Sequence, residues 1–69
     1  MGDPRLGSRL KEARTAAGLT QQGLADRAGV SRKTINTVEN GVFVPSTVLA
    51  LELARALDTT VEALFFLKD

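Results

Sequence analysis

The chain has 69 residues, nine Lys and Arg against eight Asp and Glu for a net charge of +1, and neither cysteine nor histidine. A chain this short buries only about 60% of its unfolded surface, and the missing cysteines exclude a disulfide framework, a thiolate nucleophile and a cysteine-rich zinc site, so no metal and no cofactor are expected. No apolar run approaches the roughly 20 residues needed to cross a bilayer, and Met1 to Pro4 lacks a signal-peptide design, so no membrane association and a cytoplasmic location are expected.

Leu6, Leu10, Ala13 and Ala17 recur at i, i+4, i+7 and i+11 with Arg9, Lys11, Glu12 and Arg14 between them, which predicts a first amphipathic helix ended by Gly18. Thr20 is a suitable N-cap for a second, short helix carrying Leu24, Ala25 and Ala28, and Gly29 stops it. Ser31 caps a third helix running to Asn40 and Gly41, with Ile35 and Val38 turned inward and Arg32, Lys33, Asn36 and Thr37 turned out. Pro45 breaks the chain, Ser46 caps a fourth helix over Thr47 to Leu57, and Asp58 and Thr59 end the pattern. Thr60 then caps a short fifth helix from Val61 to about Phe65. Only Val42 to Val44 alternates like a strand, and it is too short and cut by Pro45. The expectation is a single all-α domain over residues 1–69.

The stretch from about residue 20 to 40 carries the chemistry: a short helix, a tight turn at Gly29 and Val30, and a helix with a polar outer face. A helix-turn-helix needs a residue tolerant of positive φ in its turn, and glycine supplies it. Small residues must stand where the helices touch, as Ala25 and Ala28 do. Near the start of the second of these helices, side chains must reach base edges in the major groove. Ser31, Arg32, Lys33, Asn36 and Thr37 have that chemistry: Arg and Lys suit guanine acceptors, Asn suits adenine, and a Thr methyl can touch thymine. Taken alone, Arg32 and Lys33 read first as an ordinary solvated helix face, and only their place after a glycine turn in the full pattern makes them base readers. Charge distribution favours the binding reading, since residues 1–38 hold seven cations and three anions while residues 39–69 hold two and five.

Leu19-Thr20-Gln21-Gln22, Leu24-Ala25, Ala28-Gly29-Val30-Ser31, Thr34-Ile35, Glu39-Asn40-Gly41, Pro45-Ser46 and Leu53-Ala54 followed by Ala56-Leu57 together resemble the phage repressor and Cro family, also called the xenobiotic-response-element family of bacterial regulators. The resemblance runs over about residues 6 to 65 and implies a compact five-helix, lambda-repressor-like DNA-binding domain. It implies that Gln21, Ser31 and Asn40 contact phosphates, that Arg32, Lys33 and Thr37 read bases with Ser31 and Asn36 beside them, and that Arg14 pairs with Glu39. The chain departs from the family at Gly23, where Glu often completes a capping box with Thr20, and at Val42, Phe43 and Val44, where loop cations often touch phosphates. Val48 and Leu49 are also apolar where many relatives are polar.

The expected function is a sequence-specific, double-stranded DNA-binding transcriptional regulator, a repressor acting as a homodimer on a pseudo-palindromic operator. The surplus apolar side chains Leu49, Phe66, Leu67 and Phe43 are the expected dimer interface, because three consecutive apolar residues at 65–67 cannot all turn inward from one short helix. An antitoxin-like or adaptor protein that masks a protein partner is the alternative, as is the DNA-binding portion of a longer regulator with a separate sensor domain. An enzyme is not expected: there is no His, Cys or Tyr for nucleophilic or general-base work and no glycine-rich phosphate loop.

Overall fold

Each of the four hydroxyl residues expected to open a helix does so. Thr20 accepts a hydrogen bond from the Gly23 amide at 2.9 Å, Ser31 from Thr34 at 3.2 Å, Ser46 from Leu49 at 3.1 Å and Thr60 from Ala63 at 3.2 Å. In the structure, a computed structural model describing residues 2–68, the helices are α1 (Leu10–Ala16), α2 (Gln21–Ala28), α3 (Arg32–Glu39), α4 (Thr47–Ala56) and α5 (Val61–Leu64). Met1 and Asp69, counted in the charge and span above, lie outside the described residues. Glycines at φ of +73°, +73° and +71° stand after α1, α2 and α3 at Gly18, Gly29 and Gly41. Asp58 ends α4 in the same left-handed region at φ 53°, where a short polar side chain is tolerated.

The fold is mostly helical, and the all-α expectation is corrected by a small sheet. Leu6–Ser8 forms β1 and Phe65–Leu67 forms β2, paired antiparallel with Leu6 opposite Leu67, Gly7 opposite Phe66 and Ser8 opposite Phe65. The first helix therefore starts at Leu10 rather than Leu6. Leu6 and Leu10 share a helical spacing only because a strand residue and a helix residue both turn toward the same core. The pairing is pinned at both ends, where Arg9 N–H donates to Leu64 O and Lys68 N–H donates to Arg5 O, each at 2.7 Å. Gly7 makes the sheet possible, since a Cβ there would lie 2.2 Å from the Phe66 ring. Val42 to Val44, by contrast, forms no strand.

The core gathers Leu10, Leu24, Ile35, Val38, Leu53 and Leu64, all at most 1% exposed, with Phe65 at its edge. Ala25 and Ala28 are buried where α2 meets α3, and their small side chains let the two helices approach. Ala17, the last member of the first periodic stripe, falls beyond α1 and is exposed.

Candidate nucleic-acid interface

The turn between α2 and α3 sets the angle at which α3 leaves. Gly29 takes φ +73°, and the Val30 amide folds back on Ala25 O at 3.0 Å. A Cβ on Gly29 would meet nothing within 4 Å, so glycine is needed for its backbone angle rather than for space. Ile35 and Val38 anchor the inner side of α3. Its outer side carries Arg32 and Lys33, both exposed, followed by half-buried Asn36 and Thr37. These four stand at i, i+1, i+4 and i+5, so they share one face. Eight residues at 1.5 Å rise give α3 a length of about 12 Å, comparable to the width of a B-DNA major groove.

Hydrogen bonding limits what several of these side chains can still offer. The Ser31 hydroxyl caps Thr34 and also meets Thr34 Oγ1 at 3.0 Å. Thr37 donates to Thr34 O at 3.0 Å, which leaves its methyl as the outward chemistry. Asn40 Nδ2 donates to Asn36 Oδ1 at 3.3 Å, so the Asn36 amide nitrogen keeps both N–H groups free for another acceptor.

Behind this face Arg14 and Glu39 join α1 to the end of α3. Arg14 Nε donates to Glu39 Oε2 at 2.6 Å and Arg14 Nη2 to Glu39 Oε1 at 3.2 Å, a two-pronged contact between side chains only 11% and 3% exposed. The third guanidinium nitrogen donates to Leu19 O at 2.8 Å, so one side chain also holds the loop that leads into α2. The hydrogen bond to Glu39 raises the Arg14 pKa against the opposing effect of burial, which keeps the guanidinium charged.

Gln21 lies between this pair and the polar face. Its Nε2 donates to Glu39 Oε1 at 3.2 Å, and its Oε1 accepts from Arg32 at 3.5 Å. One amide N–H of Gln21 remains for an outside acceptor. The sequence offered no sign of this bridge, because residues 14, 21, 32 and 39 belong to three helices and meet only through the fold.

Of the four residues expected at a dimer interface, the structure leaves Leu67 and Phe43 exposed, at 67% and 42%. Phe66 is half-buried, its ring opposite Gly7 with the Arg9 guanidinium 4.1 Å from the ring centroid. Leu49 packs against the core, and the exposed apolar side chains of α4 are Val48 and Leu51, at 71% and 56%. Val44, Pro45 and Leu51 flank an apolar groove of about 440 Å³ whose floor includes Leu6 and Phe65.

A helix-turn-helix domain family model matches residues 5–65. The chain is similar to the HTH-type transcriptional regulator YgzD of Bacillus subtilis strain 168, with 36% identity over 62 residues, which are 90% of this chain and 94% of that one. It is also similar to an HTH-type transcriptional regulator of Methanothermobacter thermautotrophicus, with 44% identity over 61 residues, 87% and 88% of the two chains. Among solved structures, the restriction-modification controller protein C.AhdI from Aeromonas hydrophila superposes with a TM-score of 0.76 at 44% identity, covering 78% of this chain and 82% of that one.

Proposed function

Because the chain belongs to the helix-turn-helix domain family and is a DNA-binding transcriptional regulator of the Cro type, we propose that it reads its operator with the outer face of α3 and acts as a repressor, in the cytoplasm where that DNA lies. The observation that carries this reading is the exposure of Arg32 and Lys33 at the start of a helix whose inner side and far end are fixed, by Ile35 and Val38 and by the Arg14–Glu39 pair. A rigid support matters because bidentate base contacts need side chains held in register with the groove. Arg32 and Lys33 address guanine, Asn36 addresses adenine, the Thr37 methyl meets thymine, and Ser31 adds a contact at the helix start. Gln21, through its spare amide N–H, and Asn40 hold backbone phosphates on either side, with Ser31 as a further phosphate contact.

The operator is bound by two copies. The exposed apolar surface around Leu51, Val48, Phe43 and Leu67 supports a symmetric contact, with Leu49 packed behind it on the core and half-buried Phe66 as a further contributor. A two-fold axis would set the two α3 helices about 34 to 36 Å apart, one turn of DNA. The same surface favours a protein partner as the second reading. Selection of bound sites from a random duplex pool tests the proposal. The enriched sequences should contain two inverted half-sites centred about 10 base pairs apart; a single unrepeated half-site would remove the dimer, and no enrichment at all would remove specific binding.

A further inference from the structure

The loop after α3 holds only Val42, Phe43 and Val44 before Pro45 and carries no cation. The β1–β2 clasp faces the end of α3 and the start of that loop across a cleft of about 220 Å³, lined on one side by Glu39, Asn40 and Gly41 and on the other by Ser8, Phe66 and Lys68. Gly2 lies so close to Gly41 that a Cβ on it would overlap the Gly41 carbonyl. Gly2 and Lys68, 66 positions apart in sequence, therefore both border the segment that follows the recognition helix.

The clasp brings its own cations to this cleft. Lys68 lines it, exposed, with its backbone fixed by the bond to Arg5 O, and its side chain has no ion-pair partner among the described residues. Arg9, likewise unpaired among them, lies over the Phe66 ring that lines the cleft, its guanidinium carbon 4.1 Å from the ring centroid. Among the described residues the acids beside it are already engaged, Glu39 by Arg14 and Gln21, and Asp3 by Arg5 at 2.9 Å. Lys68 and Arg9 therefore keep their charge unspent among those residues, although the chain as a whole carries only +1.

We infer that Lys68, held by the strand clasp in the cleft with Asn40, and Arg9, over the Phe66 ring, bind a DNA backbone phosphate and supply charge that the loop after α3 lacks. The inference rests on the DNA reading above and adds a contact from the two chain ends. A phosphate between Lys68 Nζ and the Asn40 amide would be met by one point charge and one neutral donor, with Arg9 adding a second charge at the edge. Such contacts carry no sequence information and act on every duplex alike.

The test is the salt dependence of binding, followed by fluorescence anisotropy with a selected site and with a random duplex. Each phosphate contact contributes about 0.9 to the slope of log K against log salt. Lys68→Ala should lower affinity for both duplexes by the same factor and reduce the slope by about 1, and adding Arg9→Gln should reduce it further. Arg55→Ala, on α4 beside Glu52, should leave both slopes as they are. Unchanged thermal midpoints should accompany the Lys68 result, since that side chain makes no hydrogen bond among the described residues. Inorganic phosphate at constant ionic strength should not compete; competition lost in Lys68→Ala would show a free-anion site and overturn the inference. Equal slopes for Lys68→Ala, the double variant and the unmodified chain would overturn this site alone. Failure of the unmodified chain to bind DNA in a salt-dependent way would overturn the DNA reading and this site with it.

Discussion

Glu39 takes three hydrogen bonds in a place that water scarcely reaches, and those bonds decide what its removal costs. Its carboxylate is 3% exposed and meets Arg14 twice and Gln21 once. Removing one partner of a buried pair strands the other's charge, which typically costs about 3 to 5 kcal/mol, far more than the pair gains over an apolar replacement. Glu39→Ala should destabilise by about that amount in denaturant unfolding, and Arg14→Met should restore part of the loss in the double variant. Additive single losses would show the two side chains to be independent. The pairing of these two residues was legible in the sequence only through family resemblance. The part played by Gln21 was not legible, because its contact with Glu39 depends on where α2 starts in space, and nothing in the spacing of residues 21 and 39 encodes that.

At the scale of elements, helix starts and stops were readable residue by residue, because a capping hydroxyl or a left-handed glycine acts locally. Thr20, Ser31, Ser46 and Thr60 each accept the amide three residues on. Gly23, which removes the glutamate of a capping box, costs α2 no residues: the helix still spans Gln21–Ala28, with the Gly23 amide itself capped by Thr20. The clasp was illegible for the opposite reason. Two three-residue strands give no period-2 pattern, and their partner registers are set by contacts 57 to 61 residues apart. The one local sign was Gly7, a residue without a side chain facing an aromatic ring. Gly7→Ala should therefore expel the Phe66 ring from its seat, with an overpacking cost of about 1 to 3 kcal/mol. Loss of amide protection at Arg9 and Lys68, measured by hydrogen exchange, should report it before α2 and α3 loosen; protection unchanged at both amides would show that the ring moves aside without opening the sheet.

For the molecule as a whole, net charge was a poor guide and its distribution a better one. The cations of the first 38 residues outnumber the anions by four, and two of them, Arg32 and Lys33, stand exposed on α3 while Arg14 is spent inside. The apolar surplus was foreseen in amount but misplaced in part, since α4 turns Leu49 inward and shows Val48 and Leu51 instead. A helix of ten residues with apolar side chains around most of its girth leaves that choice to packing, and only the fold makes it. The central claim, that the outer face of α3 selects the bases, is tested most directly by the base preference at each operator position, measured for the unmodified chain and for Arg32→Ala. The account predicts a loss of about 1 to 3 kcal/mol on the selected site together with relaxed preference at one position in each half-site; a preference profile identical in the two proteins, and again in Lys33→Ala, would contradict it.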